Sequence, residues 1–300
     1  MAESRAHAYA QQLDALTRQA EALTPEARLR ILKLLKEANR EILADVSRSE
    51  PGSYNAARLQ ALKAQVDRVM EEFARQASSQ VSELERKTYE QTARQVDATV
   101  SAGTGALAVQ PVIDTAALQV VQGYTADLIG GLTHDMSSRI NAAIQRAFLG
   151  GSNLEQLVTQ IGSTLEGGEF SGLFSQVGKQ AMTIATNEIM RIQSLASVAR
   201  INALAPHHDG LMKRWKHIPV ARVPRIGHLL ADGQDRKPGE PFLVEGEELQ
   251  YPRDPAGSAE NTINCHCLVI PHFGDDALRP TDQERSLLKS YGVSVVGASR

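Results

Sequence analysis

Apolar positions recur every three to four residues over much of the first two hundred positions, which is the period of amphipathic helices. Ile31, Leu35, Ala38, Ile42 and Val46 form one such stripe, and Ser49-Glu-Pro-Gly-Ser53 ends it. Thr24-Pro25-Glu26 predicts where that helix starts: a capping hydroxyl, proline at the first helical position, then an acid near the positive end of the dipole. Residues 4–23 are polar and alanine-rich, with apolar positions too sparse to define a face. A second helix is expected from about Asn55 to about Thr99. It carries Leu59, Leu62, Val66, Val69 and Phe73, continued more loosely by Ala77, Val81 and Leu84. Two clean heptads fall short of a coiled coil, so the pair reads as an antiparallel hairpin burying its own stripe rather than an arm that docks on a partner.

The small, uncharged run Ser101–Pro111 predicts a hinge, and without a Gly-Lys-Ser/Thr ending it is no phosphate loop. A further helix from about Asp114 to Phe148 carries Leu128, Leu132, Met136, Ile140 and Ile144 at four-residue spacing. Gly150-Gly-Ser152 ends it, and Ser152 or Asn153 can cap a short helix through Leu157 and Ile161. Gly162 to Gly172 reads as a flexible connection. The last long helix, about Phe174 to Ala205, contains Glu188, expected to be solvated or locally paired.

Beyond Pro206 the pattern changes to short segments separated by turn residues. The expected fold is a predominantly α-helical body with a small C-terminal α+β, loop-rich domain. Its parts are a helical hairpin arm over 1–110, a helical body over 111–205, the compact block over 206–275 and a tail over 276–300. Hydrophobic residues are 42% of the chain and aromatics 4%, enough for a core dominated by aliphatic helix packing. The net charge of -3 gives no polycation signature, so contact with nucleic acid would need a local patch. No run has the length and apolarity of a membrane span, and the first residues lack the apolar core of a signal peptide. The expectation is therefore a chain that is not in a membrane and works in the cytoplasm.

The chemistry is concentrated between Trp215 and Cys267. Lys213, Arg214, Lys216, Arg222 and Arg225 lie in a stretch without acids, with Trp215 and His217 between them, and form the one candidate surface for phosphate or DNA. The other reading is an ordinary strand face with Trp215 anchoring the core. Cys265-His-Cys267 offers two thiols for zinc, with His228 as the best distant third ligand. Asp232, His266 and His272 are candidates for the fourth. The alternative is a pair of buried reduced cysteines flanking a turn. A zinc here would be a structural staple, because a small block of turns gains most from one. No catalytic set is expected. Glu245-Gly-Glu247 fits the Glu-x-Glu of an ADP-ribosyltransferase, but the Ser-Thr-Ser segment of such enzymes is missing, and the acids and histidines do not assemble into a metal nuclease.

The ordered series Trp215, Arg222, Arg225, His228, Asp232-Gly233-Gln234, Pro241-Phe242, Tyr251-Pro252, Asn264-Cys265 and Cys267 resembles the phage Mu F-like head morphogenesis family of minor head proteins. The helix with Ala185-Thr-Asn-Glu188 and the segment from Ile144 through Gly150-Gly-Ser152 to Leu157 are similar to it too, so the resemblance spans roughly residues 140–270. Many members have Cys-Arg-Cys after His-Pro-Asn, whereas Cys-His-Cys follows Thr262-Ile-Asn264 here, which leaves the fourth ligand open. The resemblance implies a minor capsid protein of a tailed phage or prophage, acting in prohead assembly at or near the portal. Implied partners are the portal protein, the major capsid or scaffold protein, packaged DNA, and further copies of the chain within the virion. The implied location is the capsid interior or portal vertex, reached from the host cytoplasm during assembly. The competing reading is a virion-associated or toxin-like enzyme, an ADP-ribosyltransferase or nuclease, using the C-terminal block through Glu247 or His228.

Overall fold

A computed structural model describes residues 2–48, 56–105, 113–150, 153–165, 169–219 and 225–274. The expected tail, Arg222 and most of the expected hinge lie outside the described residues. Long helices make up the body: α1 (Ala2–Ser47), α2 (Ala56–Thr104), α3 (Thr115–Phe148), the short α4 (Leu154–Ile161) and α5 (Gly172–Leu204). A 3-10 turn, Ala205–His207, leads into a small antiparallel block. That block contains β1 (Leu211–Lys216), α6 (Ile226–Ala231), β2 (Asp235–Arg236), β3 (Phe242–Val244), β4 (Glu247–Leu249), α7 (Ala259–Thr262) and β5 (Leu268–Phe273).

Helix α1 does not begin at Pro25. It runs through it, and Pro25 sits inside the helix at the loss of one backbone donor. The preceding turns persist because Tyr9 and Leu16 bury themselves, not on their own helix pair alone, but with the core of the C-terminal block. A face with few apolar residues is enough when each one finds a deep partner. Helices α1 and α2 are antiparallel: Gln95 Nε2 donates to Gln12 Oε1 at 2.7 Å, and Arg30 reaches Glu83 at the other end of the shared surface.

One apolar core joins Ile31, Leu35 and Ile42 of α1, Val66 and Phe73 of α2, Ile140 and Ile144 of α3, Leu157 of α4 and Phe174 of α5. The segments expected as an arm and a body therefore share a single interior. On α3 the buried stripe is Leu118, Val121, Thr125, Ile129, Thr133, Met136, Ile140 and Ile144. Strict four-residue spacing overshoots a turn by about 40° per step, so the leading Leu128 and Leu132 drift to the flank while Ile129 takes the buried position. Asp114 caps α3 by accepting the Ala117 N–H, and Asn153 with Gln156 forms a capping box on α4.

The expected flexible connection is pinned at its base. Asn39 Nδ2 donates to the Gly162 carbonyl, Ser171 N–H donates to the Ser163 carbonyl, and Thr164 bridges Phe170. Gly162 has φ 97°, and a Cβ there would lie 1.9 Å from the Ser171 carbonyl oxygen, so only glycine closes this neck.

Helix α5 carries the block. Its C-terminal half is buried nearly all round, polar residues included. The three-stranded sheet has the order β2-β1-β5, with Trp215 opposite Val269 and Leu211 opposite Phe273. Strands β3 and β4 form a separate hairpin. A second core gathers Tyr9, Leu16, Val96, Val100, Val198, Ile201, Trp215, Phe242, Leu249, Cys265, Cys267 and Phe273. Burying side chains of this size contributes about 1.5–3 kcal/mol each.

Candidate metal centre

Period-two alternation divides the basic stretch. On β1 Leu211, Lys213 and Trp215 point inward, while Met212, Arg214 and Lys216 are only half-buried. Lys213 is fully buried, donates its ammonium to the Gln250 carbonyl at 2.9 Å and lies 4.9 Å over the Phe242 ring. Burial pulls its pKa down to about 8. Arg214 makes two bonds to Asp235, at 2.7 and 2.8 Å, and Lys216 pairs with Asp232 at 3.5 Å. Arg225 donates to the Ile263 carbonyl at 2.7 Å. Of the bases expected to form a nucleic-acid patch, Lys213, Arg214, Lys216, Arg222 and Arg225, the first is buried and Arg214, Lys216 and Arg225 each hold a partner within the chain, while Arg222 lies outside the described residues.

The metal candidates do converge. His228, Cys265 and Cys267 are all buried, and their ligand atoms lie within 4.8 Å of one another. His228 reaches the centre from α6, a single turn whose following residues, Asp232 and Gly233, fold back on β1 through the Gly233 N–H and the Trp215 carbonyl. Its Nδ1 is 3.5 Å from Cys265 Sγ and 3.4 Å from Cys267 Sγ. Its Nε2 lies 3.3 Å from Asn261 Oδ1. That carbonyl oxygen accepts only if Nε2 carries the proton, which leaves the Nδ1 lone pair facing the thiols. The Trp215 indole packs edge-on to the same ring, with centroids 5.9 Å apart.

The cysteines sit on a tight knuckle between α7 and β5. Asn264 enters it with φ 55°, a conformation asparagine tolerates better than most residues, and its N–H is held by Asn187 Oδ1 of α5 at 3.0 Å. Behind the knuckle lies Arg253, wholly buried, at φ 68°. Its guanidinium donates to the carbonyls of Met190 and Cys267, each at 3.2 Å, and to that of Cys265. Arg191, ion-paired with buried Glu188, donates to the Arg253 carbonyl at 2.8 Å. Glu188, expected as a solvated or locally paired acid, is locally paired but deep in the interior.

The thiol pair shares its protons unequally. A hydrogen bond from Cys267 holds Cys265 well below the usual thiol range, and the same bond pushes Cys267 up. Thiolates are the form that binds metal. Two soft sulfurs and an imidazole fit zinc or a similar borderline ion.

Of the three residues expected to complete the set, none joins it. Asp232 accepts the His217 backbone N–H at 2.8 Å and pairs with Lys216. His272 lies against Arg214 and Asp235 on the far side of β1. His266, between the two cysteines, is not in the cluster. The residue that does approach is His217, whose Nδ1 is 3.6 Å from Cys267 Sγ. Its sequence signal was its place just past β1, two residues after Trp215. Arg253, inside a turn-rich run, carried no signal.

Part of the chain is similar to the uncharacterized protein YqbB of Bacillus subtilis (strain 168), with 28% identity over 110 residues. The match covers 36% of this chain and 35% of that relative, so the chain spans about a third of the relative's length. No family model and no solved structure matches. Among the described residues, no helix is long and apolar enough to cross a membrane.

Proposed function

We propose that this chain is a minor head protein of a tailed phage or prophage, acting in prohead assembly at or near the portal. One observation carries the reading: Arg225, Asp232 and Gln234, among the residues behind the resemblance, spend their polar groups on backbone within the block rather than on an open cleft. Gln234 both donates to the Leu243 carbonyl and accepts its N–H. Asp232 fixes the strand end at His217, Arg225 ties α6 to the knuckle, and Trp215 packs between His228 and Phe242. Such a series defines a fold, as a structural assembly module requires.

Within this reading Cys265, Cys267 and His228 hold a structural zinc. The ion would supply a cross-link between α6 and the knuckle, and binding would release the thiol protons. Portal protein is the first partner proposed, with the major capsid or scaffold protein next. The buried Lys213 and the paired Arg214 and Lys216 argue against packaged DNA as the main ligand. The enzymatic alternative has less support. Glu247 accepts the Ser258 N–H at 2.9 Å, and His228 is buried against two sulfurs.

The test is co-expression with the portal protein from the same genome, followed by size-exclusion chromatography and analysis of purified proheads. Co-elution and incorporation are the expected result. A chain that never associates with portal and is absent from proheads would overturn the proposal.

A further inference from the structure

We propose that His217 is the fourth ligand, so that the centre is a closed, tetrahedral Cys2His2 zinc site made by His217, His228, Cys265 and Cys267. This inference rests on the metal reading above and extends it by one residue. Tetrahedral zinc with Zn–S about 2.3 Å and Zn–N about 2.0–2.1 Å requires nitrogen-to-sulfur edges of about 3.6 Å. The three approaches here are 3.5, 3.4 and 3.6 Å, the last being His217 Nδ1 to Cys267 Sγ. His217 has this spacing to Cys267 and stands outside the group of three whose ligand atoms all lie within 4.8 Å of one another, so its ring has to turn toward Cys265 and His228 to close the site.

The surroundings of His217 agree. Its main chain is fixed by Asp232, which aims the side chain toward the cysteines from the end of β1. Among the described residues its Nε2 is buried without a hydrogen-bond partner, and the ring's one polar contact is with Cys267. A single weak S–H···N contact is a poor return for shielding the Nε2 of a half-buried imidazole, whereas a metal bond at Nδ1 adds to it. The four ligands come from the β1 end, α6 and the knuckle, so the ion would tie together all three pieces of the block. With two thiolates the site is neutral, and no position is left for water. That makes it structural rather than catalytic.

The test uses the full chain. Zinc stoichiometry is measured by mass spectrometry, affinity by competition with a chromophoric chelator, and geometry by the absorption of the Co2+-substituted protein. Wild type should bind one ion and give the intense d–d bands of tetrahedral cobalt. H217A should lose more than the roughly 10–100-fold in affinity that follows removal of an outer-shell partner. Its cobalt bands should weaken as water enters. H217C should recover both affinity and tetrahedral bands, with the thiolate-to-cobalt charge transfer raised by about half as two thiolates become three. That rescue is read only from protein with wild-type circular dichroism.

H217A with unchanged affinity and unchanged cobalt spectrum would overturn the role of His217 while leaving the three-ligand site standing. A folded H217C without recovery would do the same. Wild-type protein that takes up no ion from stoichiometric zinc would overturn the metal reading itself.

Discussion

The side-chain oxygen of Asn187, midway along α5, accepts the backbone N–H of Asn264, the residue that opens the cysteine knuckle, at 3.0 Å. The bundle thereby sets the position of the candidate metal ligands. Asn187→Leu leaves that N–H without its partner and should lower stability by about 1–3 kcal/mol in urea unfolding. Zinc affinity should fall by about 10–100-fold, as for other supporting residues of metal sites. Asn264→Gly should be nearly neutral, and Asn264→Val should be clearly destabilising, because φ 55° suits the first and not the second.

Arg253 gives a sharper test of the knuckle's support. Its fork satisfies three carbonyls from two parts of the chain, and its own backbone is held in a left-handed conformation. Arg253→Met should cost about 3–5 kcal/mol, the usual result of removing one member of a buried charged network. Arg253→Lys should not restore it, since an ammonium lacks the planar fork. Urea melts followed by circular dichroism would measure both.

Glu85 makes stability depend on pH. It is wholly buried on α2, accepts the Thr125 hydroxyl at 2.6 Å, and its second oxygen has no partner among the described residues. Burial raises its pKa from 4.5 to about 7. The folded state therefore binds a proton that the unfolded state releases between these values. Its contribution is fully present below about 4.5 and lost as pH rises through about 7, a swing of at most roughly 3 kcal/mol. Glu85→Gln removes this dependence. Its stability relative to wild type should be highest at pH 8 and should decline toward pH 5 in matched urea melts.

Trp215 is the chain's only tryptophan, and its ring touches both His228 and Phe242. Its fluorescence therefore reports the centre without a label. Chelation, or replacement of Cys265 and Cys267 by serine, should shift the emission to longer wavelength as water reaches the indole. The helical circular dichroism of the bundle should change far less.

Helices were legible wherever a stripe had its partner nearby in the chain, as with Ile31 to Val46. Residues 4–23 were not, because Tyr9 and Leu16 join a core whose other members, outside α1, are 80 or more positions away. Periodicity also treated polar positions as surface. Glu85, Thr88 and Thr92 continue the Val81–Leu84 stripe of α2 and are all fully buried. Spacing alone would have flagged them. At the centre, His228, Cys265 and Cys267 could be read from residue type, whereas His217 could not be separated from its basic neighbours. Strand alternation and the grip of Asp232 decide where it points, and both are tertiary facts.

The contact between the two ends of the fold has a consequence for synthesis. Tyr9 O–H donates to the Pro271 carbonyl at 2.6 Å across 262 positions, and its ring meets Phe273 edge-on. At 5–20 residues per second, a ribosome needs roughly 13 s or more to deliver that partner. Throughout that interval the early turns of α1 have Val96 and Val100 of α2 to pack on and lack the strand residues that complete their cover. A product that stops before the last strand would leave this end of α1 only partly covered and so more open to proteases.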